Sequence, residues 1–404
     1  MTIPDLEPPI LIEDQAGFED LLEALAGERE VAVDTEADSF YSYKNKVCLI
    51  QVTVKGQDYL LDPLADLDIS GLGKIFADPE VVKIFHDSEY DVLILRRDFG
   101  FRFRNLFDTR VAAAVLGSAA PGLASVLEEH FGVRLDKSMQ RSDWAKRPLS
   151  AKQIAYARLD THYLQALAAE QRSQLDERKR RHILETECLR LEELEPSDPK
   201  FSPDEFVRIK GVRDLSPLSR QVLRELVVLR EKYARETDEP PFRIISNPTL
   251  LEIARRMPHN PRRLTEIKGF TPRMARTMGN PVLDAVEAAE EKGPLERLPV
   301  LPKRDGTEIL DEITLDLYDR LKTWRKGESD RLGIESAYLA NRLLLVRLAD
   351  ERPATMEALE AMVGIADWQL DDYGNDWLDI IEDFESDVKA GKVPKKKAWR
   401  RGRR

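Results

Sequence analysis

Hydrophobic and polar residues follow two different patterns along the chain. Apolar runs of strand length dominate the first part, and they lie at about residues 30–35, 47–54, 57–62 and 81–86. The first three runs follow one another with short links, which predicts antiparallel pairing, and the fourth precedes a helical pattern, which predicts an α/β layer. Most of the remaining chain carries apolar residues at helical spacing. We therefore expect a mixed sheet with flanking helices, followed by small all-helical units.

A long helix is predicted to close the N-terminal domain, which we place at residues 1–195. Ser150 is a suitable N-cap, and the helical pattern continues from there to the linker EPSDPKFSPDE. In its charged second half, the apolar residues Leu175, Ile183 and Leu189 are expected to face inward.

Two helical blocks and a basic tail are predicted after this linker. Residues 203–292 contain LSPLSRQVLRELVVLREKYARETDEPP and two segments that begin after Asn-Pro turns, a pattern that resembles an HRDC domain. Residues 308–388 repeat this layout, which predicts a second, degenerate HRDC-like domain. This second block holds 21 acidic residues and eight Lys or Arg, which argues against direct contact with a phosphate backbone. Residues 389–404 are expected to be disordered.

Three short segments supply candidate catalytic residues. In VAVDTEADSF, Asp34 and Glu36 are two positions apart on a predicted strand, so their side chains lie on one face. Asp91, in HDSEYDVLIL, falls in the first turn of a predicted helix, and Tyr156 and Asp160 are four residues apart on another helix. Each segment also has an ordinary explanation: a solvated strand end, a carboxylate at a helix dipole, and a surface pair.

Combined, four carboxylates and one tyrosine are typical of a two-metal hydrolytic site. Mg²⁺ and Mn²⁺ prefer oxygen ligands, which carboxylates from several elements can supply. Two such ions can activate a water and stabilise the leaving 3′-oxygen of a phosphodiester. A tyrosine hydroxyl, whose ordinary pKa is about 10, is better suited to orienting that water than to deprotonating it.

The order of these motifs resembles the ribonuclease D branch of the DEDD 3′–5′ exonucleases, which carries tyrosine in its third motif. The resemblance covers about residues 10–290 and extends to VCLIQV, FDTRVAAAVLG and LDKSMQRSDWAKRPLS. It implies a ribonuclease H-like fold and a role for Tyr156 in positioning the water. The metal ligands that it implies are the four carboxylates Asp34, Glu36, Asp91 and Asp160.

Three basic residues are candidates for contact with substrate phosphates. Arg141 and Arg147 lie in the last of those segments, although each could equally form a structural salt bridge. Lys268 lies at a predicted turn between helices, in a window from residue 243 to 276 that holds eight Lys or Arg and two acids. A solvated helical surface is the alternative for that window.

The charge distribution and the composition modify this picture only slightly. The net charge is −12, and because the tail at residues 389–404 carries nine Lys or Arg, residues 1–388 carry −21. An acidic chain does not exclude RNA, because bound cations reverse the local field. The two cysteines, Cys48 and Cys188, lie far apart and predict no disulfide framework. No apolar run is long enough to span a membrane, and the N-terminus lacks a secretory pattern, so we expect a cytoplasmic protein.

The expected function is that of a metal-dependent 3′–5′ exoribonuclease that uses two divalent cations, Mg²⁺ or Mn²⁺, and releases nucleoside 5′-monophosphates. The resemblance implies RNA as the partner, in particular tRNA precursors, and the sequence does not indicate protein partners. Two alternatives stay open at this point. One is a DNA-directed 3′–5′ exonuclease, since no motif reveals recognition of the 2′-hydroxyl. The other is a non-enzymatic nucleic-acid-binding adaptor.

Overall fold

A six-stranded mixed sheet organises the N-terminal part of the protein, whose computed structural model describes residues 6–197, 200–301 and 310–393. The strands are β1 (Ile10–Ile12), β2 (Glu30–Ala37), β3 (Val47–Val54), β4 (Gln57–Leu61), β5 (Val82–Phe85) and β6 (Leu106–Asp108). Their order in the sheet is β1-β4-β3-β2-β5-β6. β2, β3 and β4 are antiparallel, as predicted, whereas β1, β5 and β6 each run parallel to a neighbour. The short strands β1 and β6 were not predicted.

Eight α-helices flank this sheet. They are α1 (Gln15–Leu25), α2 (Ser70–Ala77), α3 (Glu89–Phe99), α4 (Thr109–Val115), α5 (Leu123–Phe131), α6 (Ala151–His162), α7 (Leu164–Glu177) and α8 (Arg181–Glu192). Helix α6 begins where the sequence predicts, because the Ser150 hydroxyl accepts from the backbone N–H of Gln153.

The prediction of one continuous helix after Ser150 is wrong, because this segment forms α6, α7 and α8. Lys179 adopts a left-handed conformation, with φ of 55°, and ends α7. Because α8 is a separate helix, a different set of its residues faces the core from the set that one continuous helix would present. Leu189 is 61% exposed, whereas Cys188 and Leu191 are buried. The inward positions of Leu175 and Ile183 are confirmed.

The C-terminal part is entirely helical among the described residues, as predicted. Its α-helices are α9 (Pro217–Thr237), α10 (Pro241–Ile244), α11 (Asn247–Arg256), α12 (Pro261–Thr265), α13 (Pro272–Lys292), α14 (Thr314–Leu332), α15 (Ser336–Leu339), α16 (Arg342–Glu351), α17 (Met356–Glu360) and α18 (Asp367–Lys389). Four helices of the first block begin at a side-chain cap followed closely by proline, which fixes their starts; the caps are Ser216, Ser246, Asn260 and Thr271.

The two helical blocks pack differently. The first block has a hydrophobic core of its own, which runs from Phe206 to Ala289. The second block shares a continuous core with the sheet domain. At this contact the Trp368 indole N–H donates to the Thr186 hydroxyl over 2.8 Å. Most of the predicted basic tail, residues 394–404, lies outside the described residues. Within the described ranges, no helix is both long and apolar enough to cross a membrane.

Candidate active site

The sheet places two of the predicted ligands on one face. In the β2–β3 ladder, Asp34 lies opposite Gln51 and Glu36 lies opposite Leu49. Residues paired in this way point to the same side of the sheet, and helix α6 covers that side, since Leu49 and Ala157 share a small hydrophobic core. The register shifts after Glu36, which ends regular pairing beside the two carboxylates.

Helix α6 brings a third carboxylate to this face. One oxygen from each of Asp34, Glu36 and Asp160 lies within 4.8 Å of the others. The part of the chain that the structure describes contains no second cluster of three His, Cys, Asp or Glu side chains with ligand atoms this close together. Tyr156 lies one turn earlier on α6, and its hydroxyl interacts with the Asp160 carboxylate. The predicted i, i+4 pairing therefore aims both side chains at the strand carboxylates.

Asp91 lies beside these three carboxylates. It occupies the first turn of α3 and is 5% exposed. Its carboxylate accepts a hydrogen bond from the hydroxyl of Thr35, the residue between Asp34 and Glu36. Its charge interacts with those of Asp34, Glu36 and Asp160. All four predicted carboxylates thus converge, from one strand and two helices.

Asp108 fixes the start of the helix that carries Asp91. Its Oδ2 accepts from the backbone N–H and the hydroxyl of Ser88, over 2.7 and 2.8 Å, while its Oδ1 accepts from Arg110 N and caps α4. This buried residue was not singled out from the sequence. The available signal was its position in FDTR, where a carboxylate ends a strand and starts an apolar helix.

Burial and mutual repulsion raise the pKa values of all four carboxyl groups. Burial, followed by the charges of the other three, raises the pKa of Glu36 to about 10. Burial and then Asp91 raise the pKa of Asp160 to about 8. The pKa of Asp34 lies well above its ordinary range because of burial and then repulsion from Asp160. The pKa of Asp91 is raised in the same way, by burial and then by repulsion from Asp34. The same causes, burial and then Asp160, raise the pKa of Tyr156, so its hydroxyl keeps its proton at neutral pH.

An open cavity of about 360 Å³ leads to this group. Besides Asp34, Glu36, Asp160 and Tyr156, its lining includes Arg110 and Lys137, two cations that the sequence analysis did not select. Arg110 lies 3.7 Å from the Asp87 carboxylate and donates to the Tyr338 hydroxyl of the second helical block over 3.1 Å. The second block therefore holds a residue that lines the cavity.

The three predicted substrate-binding residues occupy different environments. Arg147 donates to Asp62 Oδ1 and to the Cys48 carbonyl, each over 2.7 Å, which favours its structural alternative. Arg141 is exposed and lies over the Phe40 ring, 5.5 Å from its centroid. Lys268 is exposed on the first helical block, in a turn where Gly269 has a φ of +90°, and it is not among the residues that line this cavity.

Comparison with known proteins identifies two kinds of domain in the chain. A family model described as 3′–5′ exonuclease matches residues 9–176, and the HRDC domain model matches residues 219–286 and 314–381. Ribonuclease D from Desulfotalea psychrophila is 33% identical over 77% of this chain and 82% of its own length. The chain belongs to the ribonuclease D family. As a member of this family, it is a 3′–5′ exoribonuclease, and the alternative of a non-enzymatic adaptor is set aside.

Related proteins share the domain arrangement to different extents. The exosome exonuclease RRP6 of Saccharomyces cerevisiae is 34% identical to this ribonuclease D family member over 60% of this chain but only 35% of its own length. The catalytic core of RRP6 from Trypanosoma brucei has a TM-score of 0.64 at 28% identity, covering 72% of this chain and 82% of the other. Escherichia coli RNase D, at 24% identity, shares the fold with a TM-score of 0.61, over 93% and 99% of the two chains. The exonuclease fold followed by HRDC domains is confirmed, and the boundaries at residues 195, 203, 292, 308 and 388 stay predictions.

Proposed function

We propose that Asp34, Glu36, Asp91 and Asp160 hold two divalent cations, Mg²⁺ or Mn²⁺, with which the enzyme shortens RNA from its 3′ end. The observation that carries this proposal is the convergence of oxygens from Asp34, Glu36 and Asp160 within 4.8 Å of one another. Carboxylate oxygens in this number are suitable ligands for hard cations.

The electrostatics of the site also fit a cation. Among the described residues, none of the four carboxylates forms an ion pair with Lys, Arg or His, although Asp91 and Asp160 are only 5% and 8% exposed. Buried carboxylates without a counter-charge are costly, and they either keep a proton or bind a metal. In addition, the buried Gln51 amide, which faces the same side as Asp34, has no hydrogen-bond partner in the described structure. The charge of bound cations would compensate the repulsion within the group.

The protein groups have distinct tasks in the proposed reaction. The bound cations would supply Lewis acidity, which lowers the pKa of the attacking water and stabilises the leaving oxygen. Tyr156 keeps its proton and orients the water by a hydrogen bond, while Arg110 and Lys137 bind phosphate oxygens at the cavity wall. The water oxygen attacks the terminal phosphorus and the bond to the 3′-oxygen breaks. The products are a nucleoside 5′-monophosphate and RNA with a new 3′-hydroxyl.

The proposed substrates are tRNA precursors with 3′ extensions. Membership of the ribonuclease D family supports this choice, and Escherichia coli RNase D, which shares the fold, is an exoribonuclease involved in structured RNA processing. The first HRDC domain, proposed at residues 203–292, would contact the folded part of such an RNA with the basic surface around Lys268.

Digestion of a 3′-extended tRNA precursor tests the proposal. We expect a ladder that shortens from the 3′ end in the presence of Mg²⁺ or Mn²⁺, and its loss with a chelator or with Asp34→Asn. Asp66→Asn, at an exposed position of the same domain, is the matched control and should retain activity. Internal fragments, activity in a chelator, or faster degradation of a matched DNA strand would each contradict the proposal.

A further inference from the structure

The loop that follows the strand carboxylates connects the active site to the first HRDC domain. Residues 38–46, here called the junction loop, begin two positions after Glu36. The buried Asp38 holds both ends of the loop, because its carboxylate accepts from Lys46 N over 2.7 Å and from the Ser42 hydroxyl over 2.6 Å. At its centre, the backbone N–H of Tyr43 donates to the carbonyl of Asp238, at the end of α9, over 3.1 Å.

Aromatic rings and arginines from three segments of the chain meet at this junction. Phe40, in the loop, and Phe242, in α10, have ring centroids 6.4 Å apart. The Arg141 guanidinium lies 5.5 Å from the centroid of Phe40, and that of Arg243 lies 3.9 Å from the centroid of Tyr41. We call these five residues the aromatic-arginine cluster.

The cluster is accessible and positively charged. Phe40 is 38% exposed and Phe242 is 53% exposed, so their rings do more than seal the contact between the domains. Within the described structure, Arg141 and Arg243 form no ion pair with a carboxylate, whereas the nearby Arg235 is paired with Glu231. Exposed aromatic rings beside uncompensated arginines are the combination with which proteins bind single-stranded nucleic acids.

The cluster also adjoins the active-site cavity. Phe40 follows Glu36 by four residues, and Arg141 directly follows Gln140, which lines that cavity. The Tyr41 hydroxyl donates to the carbonyl of Arg141 over 3.3 Å and connects the two segments. An RNA strand whose 3′ end lies at the carboxylates would pass this surface.

We propose that the aromatic-arginine cluster is a stacking platform for single-stranded RNA. Bases a few nucleotides upstream of the scissile bond stack on Phe40 and Phe242, and Arg141 and Arg243 contact the adjoining phosphates. This inference rests on the proposed exonuclease function, because it takes the RNA 3′ end to lie at Asp34 and Glu36. The contact surface between the exonuclease and HRDC domains then binds substrate in addition to joining the two domains.

Fluorescence of 2-aminopurine, which is quenched when it stacks, tests the platform directly. The full-length protein carrying Asp34→Asn is mixed in Mg²⁺ with single-stranded RNAs of about 12 nucleotides that carry the probe at successive positions from the 3′ end. We expect strong quenching at a few adjacent internal positions. Phe242→Ala and Phe40→Ala should abolish it and weaken binding about five-fold or more, whereas Phe242→Trp should retain it. Leu343→Ala, at an exposed apolar position of the second block, is the matched control.

A second measurement separates this inference from the proposed function. In the otherwise unmodified enzyme, Phe242→Ala should lower the ratio of kcat/KM for the long RNA to that for a dinucleotide. Unchanged quenching, RNA affinity and kcat/KM ratio in both alanine variants would overturn the platform. If the enzyme without substitutions degraded no RNA, the proposed function would fail, and the quenching experiment would still report on the platform.

Discussion

Binding of divalent cations to the carboxylate group should release protons, and this prediction follows directly from the raised pKa values. In the metal-free protein at pH 7, Glu36 and Asp160 retain protons, because their pKa values are about 10 and about 8. Carboxylates bind a cation in their ionised form. Binding of the cations at pH 7 should therefore release about two protons or more. The apparent affinity should rise about ten-fold or more between pH 7 and pH 8.

The raised pKa values of these carboxyl groups also determine how the stability of the metal-free protein depends on pH. A carboxyl group whose pKa is raised in the folded state holds more protons there than in the unfolded chain, so the free energy of unfolding falls as pH increases. For Glu36 this window runs from the ordinary value of 4.5 to about 10. The loss amounts to at most about 1.4 kcal/mol per pH unit for each group. Saturating Mg²⁺ should remove most of this dependence.

Isothermal titration calorimetry with Mn²⁺ measures the proton release. At pH 7 the binding heat should differ between PIPES and Tris buffers, whose ionisation enthalpies differ, by an amount that corresponds to about two protons or more. Glu36→Gln removes one titrating group and should lower the count by about one. Equal heats in both buffers would refute the reasoning, because they would mean that the carboxylates are already ionised before the metal binds.

Three further predictions concern residues around the carboxylates. Tyr156→Phe should lower kcat about ten- to hundred-fold without weakening Mn²⁺ binding, and an unchanged kcat would exclude it from positioning the water. Arg147→Ala leaves the Asp62 carboxylate unpaired and should lower the free energy of unfolding by about 3 kcal/mol in a denaturant titration. Its affinity for RNA should be retained. If this variant instead lost RNA affinity at normal stability, Arg147 would contact the substrate. Arg110→Ala should raise KM for RNA about ten-fold, and Tyr338→Phe should raise it less. An unchanged KM in both variants would argue against phosphate binding by Arg110.

Local periodicity predicted the parts of the site that lie within one element. The spacing of two along a strand placed Asp34 and Glu36 on one face, and the spacing of four along a helix aligned Tyr156 with Asp160. Periodicity does not reveal which elements meet, so the convergence of β2 with α3 and α6 was expected only from the resemblance to a known family. The structure brings these elements together through packing between residues far apart in sequence, such as Leu49 and Ala157.

Other features depend on contacts that no local pattern encodes. The partner of Arg147, Asp62, lies 85 residues earlier, so the sequence left open whether the arginine binds phosphate or a carboxylate. The helix break at Lys179 lies in a strongly charged segment with no glycine or proline, where helical propensity is high. The strands β1 and β6 have three residues each and are too short for an alternating pattern.

The central claim is that Asp34, Glu36, Asp91 and Asp160 together bind a pair of divalent cations at the RNA 3′ end. Anomalous diffraction from crystals soaked in Mn²⁺ with a nucleoside 5′-monophosphate tests it most directly. We expect two anomalous peaks enclosed by these four carboxylates, with the nucleotide phosphate in contact with both. Absence of manganese from this group, or manganese bound only elsewhere on the protein, would contradict the claim.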